Sequence, residues 1–204
     1  MLIDFIAAKS RDASEQWVVM GNSIGGLLTL MLTEQLQEGR KANRGVPHTA
    51  MQVRGSVLFN TAGGLVSFRP SELPVYLLPV MWFFNNVCTR RTWWMTSLSI
   101  CETPIILPSD DEGACEVFLK VFTGPPGPTP ASLLQKIKGT KVLALWGEKD
   151  PWTPLKNGLH SGASLGQHLD TFELVTLPET GHCPHDESPE ECHEVLLPWL
   201  QALP

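Results

Sequence analysis

The sequence has no uninterrupted apolar run of the roughly 20 residues that a membrane-crossing helix requires. Its most apolar stretch, Leu73 to Phe84, is broken by Pro74 and Pro79, so no transmembrane segment is expected. A basic stripe is also missing. Fifteen Lys and Arg stand against 21 Asp and Glu, for a formal net charge of -6. Without a row of cations to replace released counterions, nucleic acid is not expected as a partner. Arg40, Lys41 and Arg44 do cluster, but Gly39, Gly45 and Pro47 interrupt them, and the cluster reads as a solvated loop. The five cysteines are odd in number and share no repeated spacing. The N-terminus lacks the basic segment, apolar core and cleavage site of a secretory leader, so a reducing, intracellular setting is expected. Cys183, His185, Cys192 and His193 lie close together in sequence but lack the paired spacing of a zinc site, and neither a metal nor a cofactor is expected. No internal repeat is evident.

What remains is an ordinary globular composition, 43% hydrophobic and 18% charged over 204 residues, enough for one sizeable core with an insertion. Met1 to Ser14 reads as a helix and its exit, with Leu2, Phe5 and Ile6 on one face. Trp17 to Met20 is a short continuous apolar run, as expected of a central parallel strand buried on both faces, and it stops at Gly21. Leu27 to Glu38 carries an apolar stripe at helical spacing. Further strands are expected at Gly55–Phe59, Val142–Trp146 and Phe172–Leu177, a short helix around Leu133–Ile137, and a closing helix at Glu190–Gln201. This alternation points to a parallel α/β sheet. Residues 65–122 break it with Trp82, Phe83, Phe84, Trp93 and Trp94, and are expected to form an inserted helical lid. The core would then comprise residues 1–64 and 123–204. The proline-rich residues 124–130 read as a stiff return connection.

Three residues each follow an expected strand: Ser23, Asp150 and His182. In a parallel sheet the carboxyl ends of the strands share one edge, where ligands bind. A serine hydroxyl is a weak nucleophile at neutral pH. Ester cleavage therefore needs an imidazole to take its proton and a carboxylate to fix that imidazole's tautomer. The order Ser, Asp, His is that of the α/β-hydrolase fold, and Gly21-Asn22-Ser23-Ile24-Gly25 fits its nucleophile turn. Gly21 and Gly25 are expected to avoid a clash across that turn, and the Ile24 N–H to serve the oxyanion hole. Asn60 occupies the other place where an acid could stand, at the end of the second strand, which leaves the role to Asp150. His182 directly follows Gly181, whereas His185 lies nearer Asp186 and Ser188, which read as caps for the last helix.

Five segments together resemble the pheophytinase-like branch of the α/β hydrolases. They are Gly-Asn-Ser-Ile-Gly-Gly at 21–26, Phe-Asn-Thr-Ala-Gly-Gly at 59–64, Phe-Thr-Gly-Pro-Pro-Gly-Pro-Thr-Pro at 122–130, Leu-Trp-Gly-Glu-Lys-Asp-Pro-Trp-Thr-Pro at 145–154 and Gly-His-Cys-Pro-His-Asp-Glu at 181–187. That branch removes phytol from chlorophyll derivatives. The resemblance implies Ser23 as nucleophile, Asp150 as acid and His182 as base. It also implies a small-molecule ester of a lipophilic alcohol as substrate and, in eukaryotes, a plastid setting. Members carry further strands ahead of the nucleophile and a loop there that lends a second oxyanion donor. The sequence begins one helix before Trp17, so an incomplete N-terminal part of the fold and an uncovered strand edge are expected. Two other readings stand beside the esterase: the same triad acting on thioesters, carbon–carbon bonds or cyanohydrins, and a non-catalytic remnant that binds a partner or pigment.

Overall fold

In the computed structural model the described residues are 2–9, 15–41, 52–63, 111–114, 127–156 and 162–204. The chain divides into two compact units, Met1–Gly64 with Pro128–Pro204, and Leu65–Gly127. Within the second unit, residues 111–114 make a turn in which Ala114 N donates to Asp111 O at 3.1 Å. The rest of the expected lid, and the loop at 42–51, lie outside the described residues.

The first unit alternates helix and strand. In chain order it holds α1 (Leu2–Lys9), β1 (Gln16–Asn22), α2 (Ile24–Lys41), β2 (Gln52–Phe59) and α3 (Pro130–Leu134). These are followed by β3 (Lys141–Gly147), α4 (Gly162–Leu165), β4 (Phe172–Leu177), α5 (Pro184–Glu187) and α6 (Pro189–Gln201). The strands form one sheet in the order β1-β2-β3-β4, and every pairing is parallel. This is the α/β-hydrolase architecture read from the sequence.

Each element has a local cause. Thr129 caps α3 by accepting from Ser132 N at 3.2 Å, and Pro130 occupies the first helical position, where its missing N–H costs nothing. The helix therefore starts at Pro130, ahead of the expected Leu133. Helix α2 begins at Ile24 and not at Leu27, so that Gly25 and Gly26 sit inside its first turn. Despite its low helix propensity, Gly26 is required there by packing, since a Cβ would lie 2.3 Å from Thr61 Oγ1. Ser188 stands at the N-cap of α6 but makes no side-chain cap there. Its hydroxyl instead bonds Thr180 Oγ1 at 2.9 Å, and Asp186 belongs to the short helix α5.

Residues alternate across the sheet into two cores. Val142, Ala144 and Trp146 of β3 face one side with Leu58, Leu30, Leu133 and Leu134. Leu143 and Leu145 face the other, with Val57, Phe59, Cys192 and Trp199. Gly55 makes room for Trp199, whose ring lies 2.6 Å from where a Cβ would be. Burial pushes the Cys192 thiol up to about 11, with help from the nearby Glu191 charge, and Cys192 is a packing residue. Strand β1 differs from the expected strand buried on both faces. It lies at the edge of the described sheet and is half-buried along most of its length, with Met20 42% exposed, because among the described residues it pairs only with β2. No helix among the described residues is long and apolar enough to cross a membrane.

Truncating either fully buried sheet residue, Leu58→Ala or Leu143→Ala, is expected to cost about 2–5 kcal/mol by urea denaturation. Leu197→Ala, on the exposed face of α6, should stay within about 0.5 kcal/mol. Equal losses at the three positions would contradict the two-core arrangement.

Candidate active site

The carboxyl ends of β1, β3 and β4 lead into the sequence-predicted residues Ser23, Asp150 and His182. Ser23 sits between β1 and α2 with φ of 54°, in the left-handed region that a non-glycine residue adopts at a cost. Main-chain bonds hold it there: Ser23 N donates to Phe59 O at 2.9 Å, and Ser23 O accepts from Gly26 N at 3.1 Å and Ala62 N at 3.0 Å. A Cβ at Gly21 would fall 2.2 Å from Gly25 O, whereas one at Gly25 would meet nothing within 4 Å. The glycines that the turn requires are therefore Gly21 and Gly26, and not the expected pair of Gly21 and Gly25. Ile24 opens α2, so its N–H is among the amides without an intrahelical partner.

Asp150 lies in the turn after β3, its side chain fully buried. Its Oδ1 accepts from Trp152 N at 2.7 Å and Thr153 N at 3.1 Å. Its Oδ2 takes His182 Nδ1 at 2.7 Å, Asn60 Nδ2 at 2.5 Å and the Thr153 hydroxyl. Burial works against ionisation. The hydrogen bonds from His182, the Thr153 side chain and the Trp152 and Thr153 amides outweigh it and hold the carboxyl well below the usual range. An ionised carboxylate only accepts, so Nδ1 of the neutral imidazole carries the proton and Nε2 is left as the basic nitrogen.

His182 follows β4 in a loop fixed on both sides. Gly181 N and Cys183 N donate to the two Glu187 carboxylate oxygens at 2.7 and 2.8 Å. Gly147 lets this loop approach the Asp150 turn, since a Cβ there would sit 2.0 Å from Gly181 O. His185 is directed elsewhere, its ring centroid 5.1 Å from that of Phe59.

The structure thus joins Asp150 to His182 directly. It joins Ser23 to the same loop through its neighbour: Asn22 Nδ2 donates to His182 O at 2.7 Å and to Phe59 O at 3.2 Å. Among the described residues no hydrogen bond connects the Ser23 hydroxyl to His182. Asn22, Asn60, Thr153 and Glu187 had no assigned part in the sequence reading. Only Asn60 carried a signal, as the occupant of an alternative acid position.

Residues 2–195 match the profile of the Alpha/beta hydrolase family. None of the curated proteins matches the sequence. Among solved structures, the chain is similar to 2-hydroxy-6-oxo-6-phenylhexa-2,4-dienoate hydrolase from Rhodococcus sp. strain RHA1, with 19% identity and TM-score 0.62, covering 93% of this chain and 65% of that one. A carboxylesterase structure from the thaumarchaeon Nitrososphaera gargenis shares 15% identity with TM-score 0.59, over 98% and 70% of the two chains. An esterase from Thermogutta terrifontis shares 18% with TM-score 0.56, over 98% and 68%. The chain spans about two thirds of the length of these structures.

A carboxyl group held ionised in the native state stabilises it above the group's ordinary pKa of 3.8, and that contribution is lost as pH falls below it toward the native value. The stability difference between wild type and Asp150→Asn, from urea midpoints, is therefore expected to be constant above about pH 5 and to shrink below about pH 4. A difference independent of pH down to 3 would show that Asp150 is not held ionised.

Proposed function

The chain belongs to the α/β hydrolase family, and we propose that it is a serine hydrolase that cleaves the carboxylic ester of a lipophilic alcohol through an acyl-enzyme on Ser23. The observation that carries this reading is the bond from His182 Nδ1 to the buried Asp150 carboxylate, 2.7 Å long, on a loop that Asn22 ties to the nucleophile turn.

In this mechanism the Ser23 hydroxyl turns to His182 Nε2 and loses its proton as the oxygen attacks the ester carbonyl. Asp150 stabilises the imidazolium without taking the proton. The Ile24 N–H, at the start of α2, donates to the developing oxyanion. Collapse of the tetrahedral intermediate breaks the bond to the alcohol oxygen, which leaves with the proton from His182. Water then gives its proton to His182 and attacks the acyl group, and Ser23 is restored as the acid departs. The reading also calls for a second oxyanion donor, which members of the resembled branch take from a loop ahead of the nucleophile strand; among the described residues none is assigned to that part.

The lipophilic alcohol is supported by the segments at 21–26, 59–64, 122–130, 145–154 and 181–187, which resemble the phytol-releasing branch. A phytyl ester and a plastid setting are the specific form of the proposal, and residues 65–122 keep their proposed role as an aromatic-rich lid. Carbon–carbon bond hydrolysis is the second reading. It is favoured by the likeness to the Rhodococcus dienoate hydrolase, and it would use the same three residues.

A panel of acyl esters with short, long-chain and isoprenoid alcohols, together with a 2-hydroxy-6-oxodienoate, separates these readings. Turnover is expected to favour the long-chain and isoprenoid esters, and Ser23→Ala to lower kcat/KM by about 10⁴-fold or more. Preference for the dienoate would transfer the proposal to carbon–carbon cleavage. A folded wild type with no turnover of any member would sink both.

A further inference from the structure

We propose that Asn60 is a positioning residue for this reaction, its side-chain amide holding the Asp150 carboxylate in register with His182 and drawing charge from the oxygen that faces the imidazole. The inference rests on the serine-hydrolase reading for its catalytic meaning, though not for its geometry. Asn60 is fully buried, so each of its polar atoms needs a partner.

Those partners permit one orientation only. Gly147 N can only donate, and it reaches Asn60 Oδ1 at 2.9 Å. The ionised carboxylate can only accept, and Asn60 Nδ2 reaches Asp150 Oδ2 at 2.5 Å, with Gly147 O at 3.3 Å as its other acceptor. Two donor hydrogens meet two acceptors, and a flipped amide would face donor to donor and acceptor to acceptor. The Thr153 hydroxyl has a single proton for two acceptors, Asp150 Oδ2 and Asn60 O, the latter at 3.1 Å. Asn60 is therefore the undivided side-chain donor that competes with His182 for Oδ2.

The backbone has the same bias. Ser23 and Asn60 are the non-glycine residues with positive φ among the described residues, Asn60 at 41°. Asparagine tolerates that region better than most residues. The conformation places a carboxamide, where a second acid would otherwise fit, directly beneath the acid that the turn after β3 supplies. A carboxylate there would crowd a second charge onto one site; the amide gives the same shape with a donor instead.

The ionisable groups around the pair come from three elements. His182 faces it from the loop after β4, and Glu187 of α5 holds the amides on either side of that histidine. His185 of α5 lies against Phe59, the residue before Asn60. In the turn after β3, Glu148 and Lys149 are exposed, with Lys149 paired to Glu179. Among these, His182 alone bonds Asp150 Oδ2.

Removing the Asn60 donor leaves more negative charge on Oδ2, and the imidazolium then holds its proton more tightly. The test compares the full chain with Asn60→Gly, which deletes the carboxamide and accepts the positive φ without strain. The His182 ring is titrated by NMR, and the rate of Ser23 phosphonylation by a fluorophosphonate is followed against pH. In Asn60→Gly the midpoint of the His182 titration is expected to rise by about half a pH unit or more, roughly threefold in proton affinity. The acid limb of phosphonylation should move up with it, and the variant's circular dichroism should remain native. A folded Asn60→Gly with both curves unmoved would overturn the proposal.

The wild type gives a second reading that needs no variant. The Asn60 side-chain amide resonances are expected to shift across the His182 midpoint, and resonances indifferent to it would equally overturn the proposal. If Ser23 is not phosphonylated, the serine-hydrolase reading fails, while the two NMR observations still decide whether Asn60 tunes the pair.

Discussion

The buried carboxylate of Asp150 is the constraint on which the rest of the site depends. Removing a charge from water is tolerated only where hydrogen bonds replace the lost hydration. Here the replacements come from His182, Asn60, Thr153 and the Trp152 backbone. Those donors arrive from β2, from the turn after β3 and from the loop after β4, so satisfying one charge fixes three strand ends relative to one another. Trp146 reinforces the arrangement from beneath, its indole donating to Thr153 O at 2.9 Å from a fully buried position.

Convergence of that kind needs backbones to pass closer than side chains allow. Gly147 admits the His182 loop, Gly21 admits the first turn of α2, and Gly26 admits Thr61. Asn22 then spans the remaining distance between β1, β2 and the histidine loop with a single carboxamide. The parallel pairing of the four strands brings the ends to a common edge, and these contacts turn proximity into fixed geometry. A site assembled in this way fixes the Asp150 carboxylate and the His182 imidazole relative to one another.

The fold was readable in the sequence wherever burial imposed a pattern. The apolar run at Val142–Trp146 lies within β3, buried along nearly its whole length, since strands covered on both sides need continuous apolar residues. Phe172–Leu177, by contrast, coincides with β4, which is half-buried at the other edge of the described sheet and carries the exposed Glu173. Boundaries set by tertiary contact were less legible. Gly25 and Gly26 argue against a helix in isolation, yet α2 runs through them, with Gly26 required where the helix passes close to Thr61. Strand β1 has the composition of a central strand but, among the described residues, pairs with β2 alone. In the site, residue types with few chemical alternatives stood out, and Ser23, Asp150 and His182 were all chosen from motif and spacing. Asn22, Thr153 and Glu187 were not, because amides, hydroxyls and surface carboxylates are common in turns and their partners are far away in sequence. Asn60 was seen as a vacant acid position. Only the structure gives its amide a direction.

The central claim is that these strand ends assemble an activated nucleophile at Ser23, and reaction with a fluorophosphonate followed by intact-mass measurement and peptide mapping tests it most directly. The account predicts one phosphonyl group per chain, on the peptide that contains Ser23. A natively folded chain that stays unmodified, or that carries the group on another residue, would contradict it.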